Sequence, residues 1–342
     1  MATQETRILD ELIANRRTLL KTGGAALAAL AMPAAARAAS TVTSFSDNDI
    51  LNFALNLEYL EANFYYLAAF GTNISTTNSL YPTGAMLQSI GGTGTQGSVT
   101  VKANPKVPFS SLAVAAYAVE TAIEEGKHVN YLRSVLGSAA VAQPAIDLTT
   151  SFNTLAMAAG IGPSFDPFAN DAYFLIGAYI FEDVGVTAYS GAAPLFTTTS
   201  TGKTYLSAAA GILAVEAYHA GLVRTAINAM DVANGNTALQ MLTQKISATR
   251  YALSKAAAPS SGTGSGAATA TDDIGVGTQM VSLAGGSNVS ASTIVDADST
   301  NVIAFARNTT QVLNIVTGGG ATTSGTKASG VFFPSGLNGV LS

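Results

Sequence analysis

The sequence predicts an all-α fold: four helices arranged as one antiparallel helix pair and its repeat. Three observations carry this. Segments at roughly 47–70, 110–137, 170–191 and 203–231 place apolar residues at the period of a buried helix face, and a fifth such segment follows at 236–257. All seven glutamates beyond residue 38 (58, 61, 120, 124, 125, 182 and 216) lie in the first four segments, none in the loops where solvated charge normally gathers. Glutamate, histidine and tyrosine also recur at matching spacings on alternate segments.

Residues 1–38 are not expected to join the fold. "NRRTLLKTGGAALAALAMPAAARA" carries Arg16-Arg17, a short Ala/Leu run and an Ala36-Arg37-Ala38 cleavage pattern. It resembles a bacterial twin-arginine signal, with Asn15 where that signal usually has Ser or Thr. The run is too short to span a bilayer comfortably, and no later stretch reads as a membrane span. The resemblance implies that the twin-arginine machinery exports the folded chain to the periplasm or beyond.

The remaining elements follow in order. Asp47 is a candidate N-cap for the first helix, and Ser110 or Ser111 for the second, just after Pro108; Gly71 and Gly137 suit their C-terminal ends. Between them lies a Gly/Thr/Ser/Asn-rich excursion, 71–109, too long for a simple turn. A second connection, 138–169, contains Pro144, Pro163 and Pro167. After "APSSGTGSGAATAT" the helical signal fades. The tail has a strand-like run near 278–283 and an amphipathic helix candidate at 301–316. Three parts result: a signal at 1–38, a helical domain at 39–257, and an extension at 258–342 expected to pack on the bundle. Asp272, Asp273, Asp296 and Asp298 read as turn or cap residues.

Composition narrows the function classes. Apolar residues make up 48% of the chain and charged ones 11%, with formal net charge −5. No basic patch is present to track phosphates, which argues against a nucleic-acid partner. Zero cysteines exclude disulfides and thiolate metal sites.

The chain has two histidines, and each follows a glutamate by three residues: Glu125/His128 and Glu216/His219. In a helix, residues i and i+3 share a face. Continuing along those faces gives Leu132 and Val135 in one helix, Val223 and Ala226 in the other. The polar pairs therefore sit within apolar stripes directed at the core, where carboxylate and imidazole are costly unless paired or bound to metal. On the other two helices Glu58 precedes Tyr65, and Glu182 precedes Tyr189, by seven residues, two turns along one face. The order Glu-x6-Tyr, Glu-x2-His thus occurs twice.

In residue type, order and count this pattern resembles the ferritin-like di-iron carboxylate bundle, across about 47–230. "NTTQVLNIV" and "FFPSGLNG" in the tail further resemble secreted ferritin-like proteins, among them desiccation-related ones. The resemblance implies a ferritin-like four-helix bundle with a long inter-helix excursion and an irregular C-terminal extension. It implies Glu58, Glu125, His128, Glu182, Glu216 and His219 as ligands of two iron ions, or alternatively two manganese ions. Tyr65 and Tyr189 would either orient carboxylates or simply pack in the core. Glu61 also faces inward, opposite Gly185 in the repeat; it could be an extra ligand, a proton acceptor or a tyrosine's partner. Glu124 offers His128 a rival pairing, but the repeat favours Glu125, leaving Glu124 and Glu120 on an exposed face. The implied partners are metal ions with O₂ or peroxide. The implied function is ferroxidase-like or peroxide-reactive stress protection. A manganese catalase-like enzyme, or a structural desiccation-protective envelope protein with an inert metal site, are the alternatives. Homo-oligomerisation is compatible with the sequence.

Overall fold

A computed structural model describes residues 45–74, 89–256, 273–298, 301–320 and 328–342. The expected signal at 1–38 lies outside the described residues, as do residues 75–88 of the excursion and the 257–272 stretch that opens the extension.

Helix α1 (Asp47–Phe70) has its cap one residue earlier than the sequence reading placed it. Ser46 is the N-cap: its side chain accepts from the Asp49 amide while Asp49 accepts from the Ser46 amide, a reciprocal capping box. Asp47 instead accepts from the amide and hydroxyl of Thr197, at 2.9 and 2.7 Å. Gly71, at φ 78°, closes the helix in the left-handed conformation that favours glycine. Helix α2 (Leu112–Leu136) is capped by Ser111 and ends at Gly137. Asn52, Tyr59 and Tyr66 of α1 meet Ala139, Arg133 and Gly126 in turn, so the two helices run antiparallel.

Helices α4 (Asp171–Ala192) and α5 (Ser200–Asn234) form the second pair. Between the pairs, the 138–169 connection holds a helix the sequence did not announce, α3 (Thr150–Ala158). Its nine residues are too few for a periodic signal to stand out. The described part of the excursion lies along this connection: β1 (Val99–Thr100) pairs in parallel with β2 (Ile146–Asp147).

The inner helices α1 and α4 are buried almost all round, including every residue from Phe174 to Tyr189. A helix buried on all sides needs neighbours beyond one partner, and the C-terminal residues supply them. After α6 (Ala238–Ala256) come an antiparallel hairpin, β3 (Thr278–Ser282) with β4 (Asn288–Ser292), and a short helix, α7 (Thr309–Thr317). The helix expected over 301–316 forms only from Thr309, because Asn308 and Gln311 make a capping box there. Phe332 packs edge-on to Phe181 of α4 and Phe152 of α3. Asn338 exchanges two hydrogen bonds with Asn56 of α1.

A buried ionic chain fastens these C-terminal residues. Arg224 of α5 and Arg250 of α6 both bind Asp183 of α4, each at 2.9 Å. Arg250 and Arg307 both bind Asp273, each at 2.7 Å. Asp273 is therefore no surface turn residue: burial would raise its pKa, but Arg250 and Arg307 hold it below the usual carboxylate range. Asp296 joins the same cluster, and burial beside Asp183 and Asp273 pushes it up to about 8. Asp298 does cap a turn, accepting from the amides of Asn301 and Ile303.

One expectation fails by composition. Helix α5 is long and apolar enough to cross a membrane. Its inward face, however, carries buried Glu216, His219, Arg224 and Asp231, each turned towards bundle or extension groups.

Breaking the ionic chain should cost far more than breaking a surface pair. Arg250→Met should lower unfolding free energy by about 3 kcal/mol, because it leaves buried carboxylates undercompensated. Lys102→Met, which removes a half-exposed bridge to Asp166, should cost under about 1 kcal/mol. Denaturant titration of both variants checks this.

Candidate metal centre

The repeated pattern converges at one place between the helix pairs. His128 Nδ1 lies 3.2 Å from Glu58 Oε2, 3.4 Å from Glu125 Oε2 and 3.6 Å from Glu216 Oε1. His219 Nδ1 lies 2.9 Å from Glu125 Oε1 and 3.5 Å from Glu182 Oε2. The two imidazole rings are 6.4 Å apart. Two donor groups result: Glu58, Glu125, His128 and Glu216 in one, Glu125, Glu182 and His219 in the other, with the donor atoms of each within 4.8 Å of one another. Glu125 belongs to both, so the two groups adjoin and share one carboxylate.

Hydrogen bonding divides the carboxylates into two kinds. Tyr65 donates to Glu182 Oε1, and Tyr189 donates to Glu58 Oε1. Each tyrosine thus reaches across to the glutamate of the other half, not to the one seven residues before it. The remaining oxygen, Oε2 in both Glu58 and Glu182, is buried without a hydrogen-bond partner. Glu125 and Glu216 have both oxygens in that condition, as do Nδ1 of His128 and Nδ1 of His219. Seven of these eight atoms, five oxygens and two nitrogens, converge in the contacts above, while Glu216 Oε2 lies towards Gly185. Buried polar atoms are seldom left so. The set fits two divalent ions: four carboxylates balance their formal charge, and mixed oxygen and nitrogen donors suit iron or manganese.

Without metal, protons must balance these charges. Burial pushes Glu58 up to about 7, and Glu125 adds to that, while His128 opposes it. Glu182 and Glu216 are likewise raised by burial. Glu125 alone is held well below the carboxylate range, because His128 and His219 outweigh its burial. Burial disfavours charge on His128, yet Glu58 and Glu125 push it up to about 12. His219 is raised further by Glu182, Glu124 and Glu125.

Glu61 is buried next to this set but belongs to neither donor group. Burial, then Glu125, Glu58 and Glu182, raises its pKa well above normal, favouring the protonated acid. It borders a small cavity, about 10 Å³, shared with Gly185, Val316 and Phe332. Gly185 has a steric reason to be glycine: a Cβ there would come within 2.1 Å of Glu216 Oε2.

The structure corrects the reading of Glu124. Glu120 is exposed as expected, but Glu124 Oε2 lies 2.8 Å from His219 Nε2, across from its own helix. It partners the distant histidine, not His128 four residues on. Within-helix spacing could not reveal this contact.

This fold and donor arrangement define a ferritin-like protein. The ferritin-like domain family model matches residues 46–229, and the chain belongs to that family. Among curated proteins it is similar to Desiccation-related protein PCC13-62 of Craterostigma plantagineum, 35% identical over 183 residues, which are 52% of each chain. The chain thus spans about half the length of that relative. No solved structure matches it.

Two outcomes follow. Gly185→Ala should displace Glu216 and destabilise the protein by about 1–3 kcal/mol, whereas Gly211→Ala, with nothing near its added methyl, should be neutral or stabilising by up to about 1 kcal/mol. Thermal unfolding of the metal-free protein should also depend on pH. Raised groups stabilise fully below their unfolded values, 6.5 for histidine and 4.5 for glutamate, and lose that contribution as pH climbs through the folded ones. Between about pH 5 and 9 the melting temperature should therefore fall.

Proposed function

We propose that this chain is an exported stress-protection protein whose centre holds two iron ions and reacts with O₂ or peroxide. Glu58, Glu125, Glu182 and Glu216 would hold the ions through carboxylate oxygens, and His128 and His219 through imidazole nitrogens. The supporting observation is the convergence of seven buried donor atoms from six side chains, all without a hydrogen-bond partner. A bound iron pair supplies one-electron exchange with oxygen or peroxide, the basis of ferroxidase and peroxidase chemistry.

The chain's own residues do the rest. Tyr65 and Tyr189 fix the outer oxygens of Glu182 and Glu58, so their inner oxygens are held ready. Glu61, buried and proton-bearing, can give or take a proton beside the centre without disturbing the donor set. The C-terminal residues Ile315, Val316 and Phe332 close off the side of the bundle next to Glu61 and exclude bulk water there. The twin-arginine-like segment supports export of the folded chain to the periplasm or beyond. The similarity to a desiccation-related protein supports a role under water stress.

Elemental analysis and electron paramagnetic resonance of protein purified from its native compartment test this reading. The expected result is two irons per chain, with ferrous oxidation or peroxide consumption abolished in Glu125→Ala/His128→Ala. Stoichiometric manganese with rapid peroxide dismutation would replace it with a catalase-like enzyme. Wild-type protein without either activity, whose melting temperature still drops in the double variant, would make the metal purely structural. Binding should also expel protons, since the surrounding carboxylates favour the protonated forms of His128 and His219 when no metal is bound. Calorimetry in buffers of different ionisation enthalpy should show about two or more protons released per metal pair near pH 7.

A further inference from the structure

Two adjoining cavities lead from the surface towards the donor set. The outer one, about 30 Å³, is a crevice among α3, α4, α6 and α7 with Phe152, Ile176, Ile180, Ile246 and Ile315 as its buried floor. Its rim, Leu155, Ala159, Ile161, Thr249 and Leu253, is only half-buried, so among the described residues the crevice reaches solvent. The inner one is the cavity of about 10 Å³ beside Glu61. Ile180 of α4 and Ile315 of α7 line both, so the partition between them is two aliphatic side chains. At the inner end Gly185, lacking a side chain, leaves the cavity next to Glu216 Oε2, which has no hydrogen-bond partner.

These walls select by size and polarity. A cavity of about 150 Å³ holds benzene, so these two leave room for a molecule of one or two heavy atoms. Among the described residues, Thr249 and Arg250 are the polar side chains at the outer cavity and Glu61 the one at the inner. Arg250 is already committed to Asp183 and Asp273. A buried water needs about two to four polar partners, and the inner cavity offers one. Hydrogen peroxide, hydrated through both hydroxyls, would give up those bonds on entering, and a metal ion would lose far more. Dioxygen has no such bonds to lose.

We propose that dioxygen is the oxidant of this centre and reaches it along this apolar path, with Ile180 and Ile315 as the gate. The inference rests on the di-metal reading above and deepens it by choosing between the two oxidants. Rotation of either isoleucine between staggered rotamers joins the cavities without moving a helix. The path ends at Glu61, the acid already placed beside the centre. It also gives the C-terminal residues a task beyond cover: Ile315, Val316 and Phe332 keep water from Glu61 while letting a small apolar molecule pass.

Xenon pressurisation of crystals of the full-length protein tests the path independently of metal, because xenon enters dry apolar cavities. A xenon site is expected in the outer cavity, and Ala159→Phe, which sets a ring over the half-exposed mouth, should abolish it. The iron-loaded protein then gives the rates by stopped flow. Ferrous oxidation should be first order in dioxygen. Ala159→Phe should slow it by about tenfold or more, and Ile180→Val, which thins the gate, should speed it by about twofold or more. Oxidation by hydrogen peroxide should stay within about twofold of wild type in both variants, with iron content unchanged, since peroxide would not use this path. No xenon in either cavity, a dioxygen rate that neither substitution moves, or an equal loss of both rates in Ala159→Phe would overturn the proposal while leaving a di-metal protein. Protein that binds no iron would overturn the di-metal reading and this inference together, whatever the xenon result.

Discussion

The constraint on which the structure depends is the burial of four carboxylates and two imidazoles in one core. Such a set has no stable metal-free arrangement in which every group keeps its ordinary charge. Desolvation and mutual repulsion raise Glu58, Glu182 and Glu216, while the imidazoles are driven to hold protons. The result is a centre of shifted protonation equilibria and unpartnered donor atoms, which is the condition bound cations would relieve. Other features follow from keeping that set in place: tyrosines crossing between halves, a glycine where Glu216 must lie, and two helices enclosed on every side.

Enclosure is what the C-terminal residues contribute. A four-helix bundle alone would leave one flank of α1 and α4 facing water, and a carboxylate cluster near water would be screened and hydrated. Instead α7 and Phe332 cover that flank. Their attachment is ionic as well as apolar. Asp183 follows Glu182 directly in α4, so adjacent residues serve two purposes: one donor faces the centre and the next anchors the arginines that hold the extension. A buried ionic chain is a weak source of net stability, because desolvation offsets much of its attraction. Its geometry is nonetheless demanding, and it fixes where the extension sits.

The four main helices, the paired repeat and the six side chains that meet in the core were legible in the sequence because each depends on spacing along a single helix. Gly71, Ser111 and Gly137 were legible for the same reason, since caps act within a few residues. What escaped depends on contacts between distant segments or on signals too short to read. Asp47 was misplaced by one residue because Ser46 offers the better reciprocal cap. Helix α3 was too brief to announce itself. Asp273 looked like a turn residue because its arginine partners lie 23 and 34 positions away.

The sequence by itself determined an all-α fold, a duplicated helix pair and an inward set of four glutamates and two histidines. It could do so because helical periodicity and residue scarcity are both one-dimensional facts. Tertiary structure alone decided which tyrosine serves which glutamate, which carboxylates keep two free oxygens, and that Glu124 reaches His219. These are decided by how two antiparallel pairs face one another across the core, and no spacing along one helix encodes the partner on another.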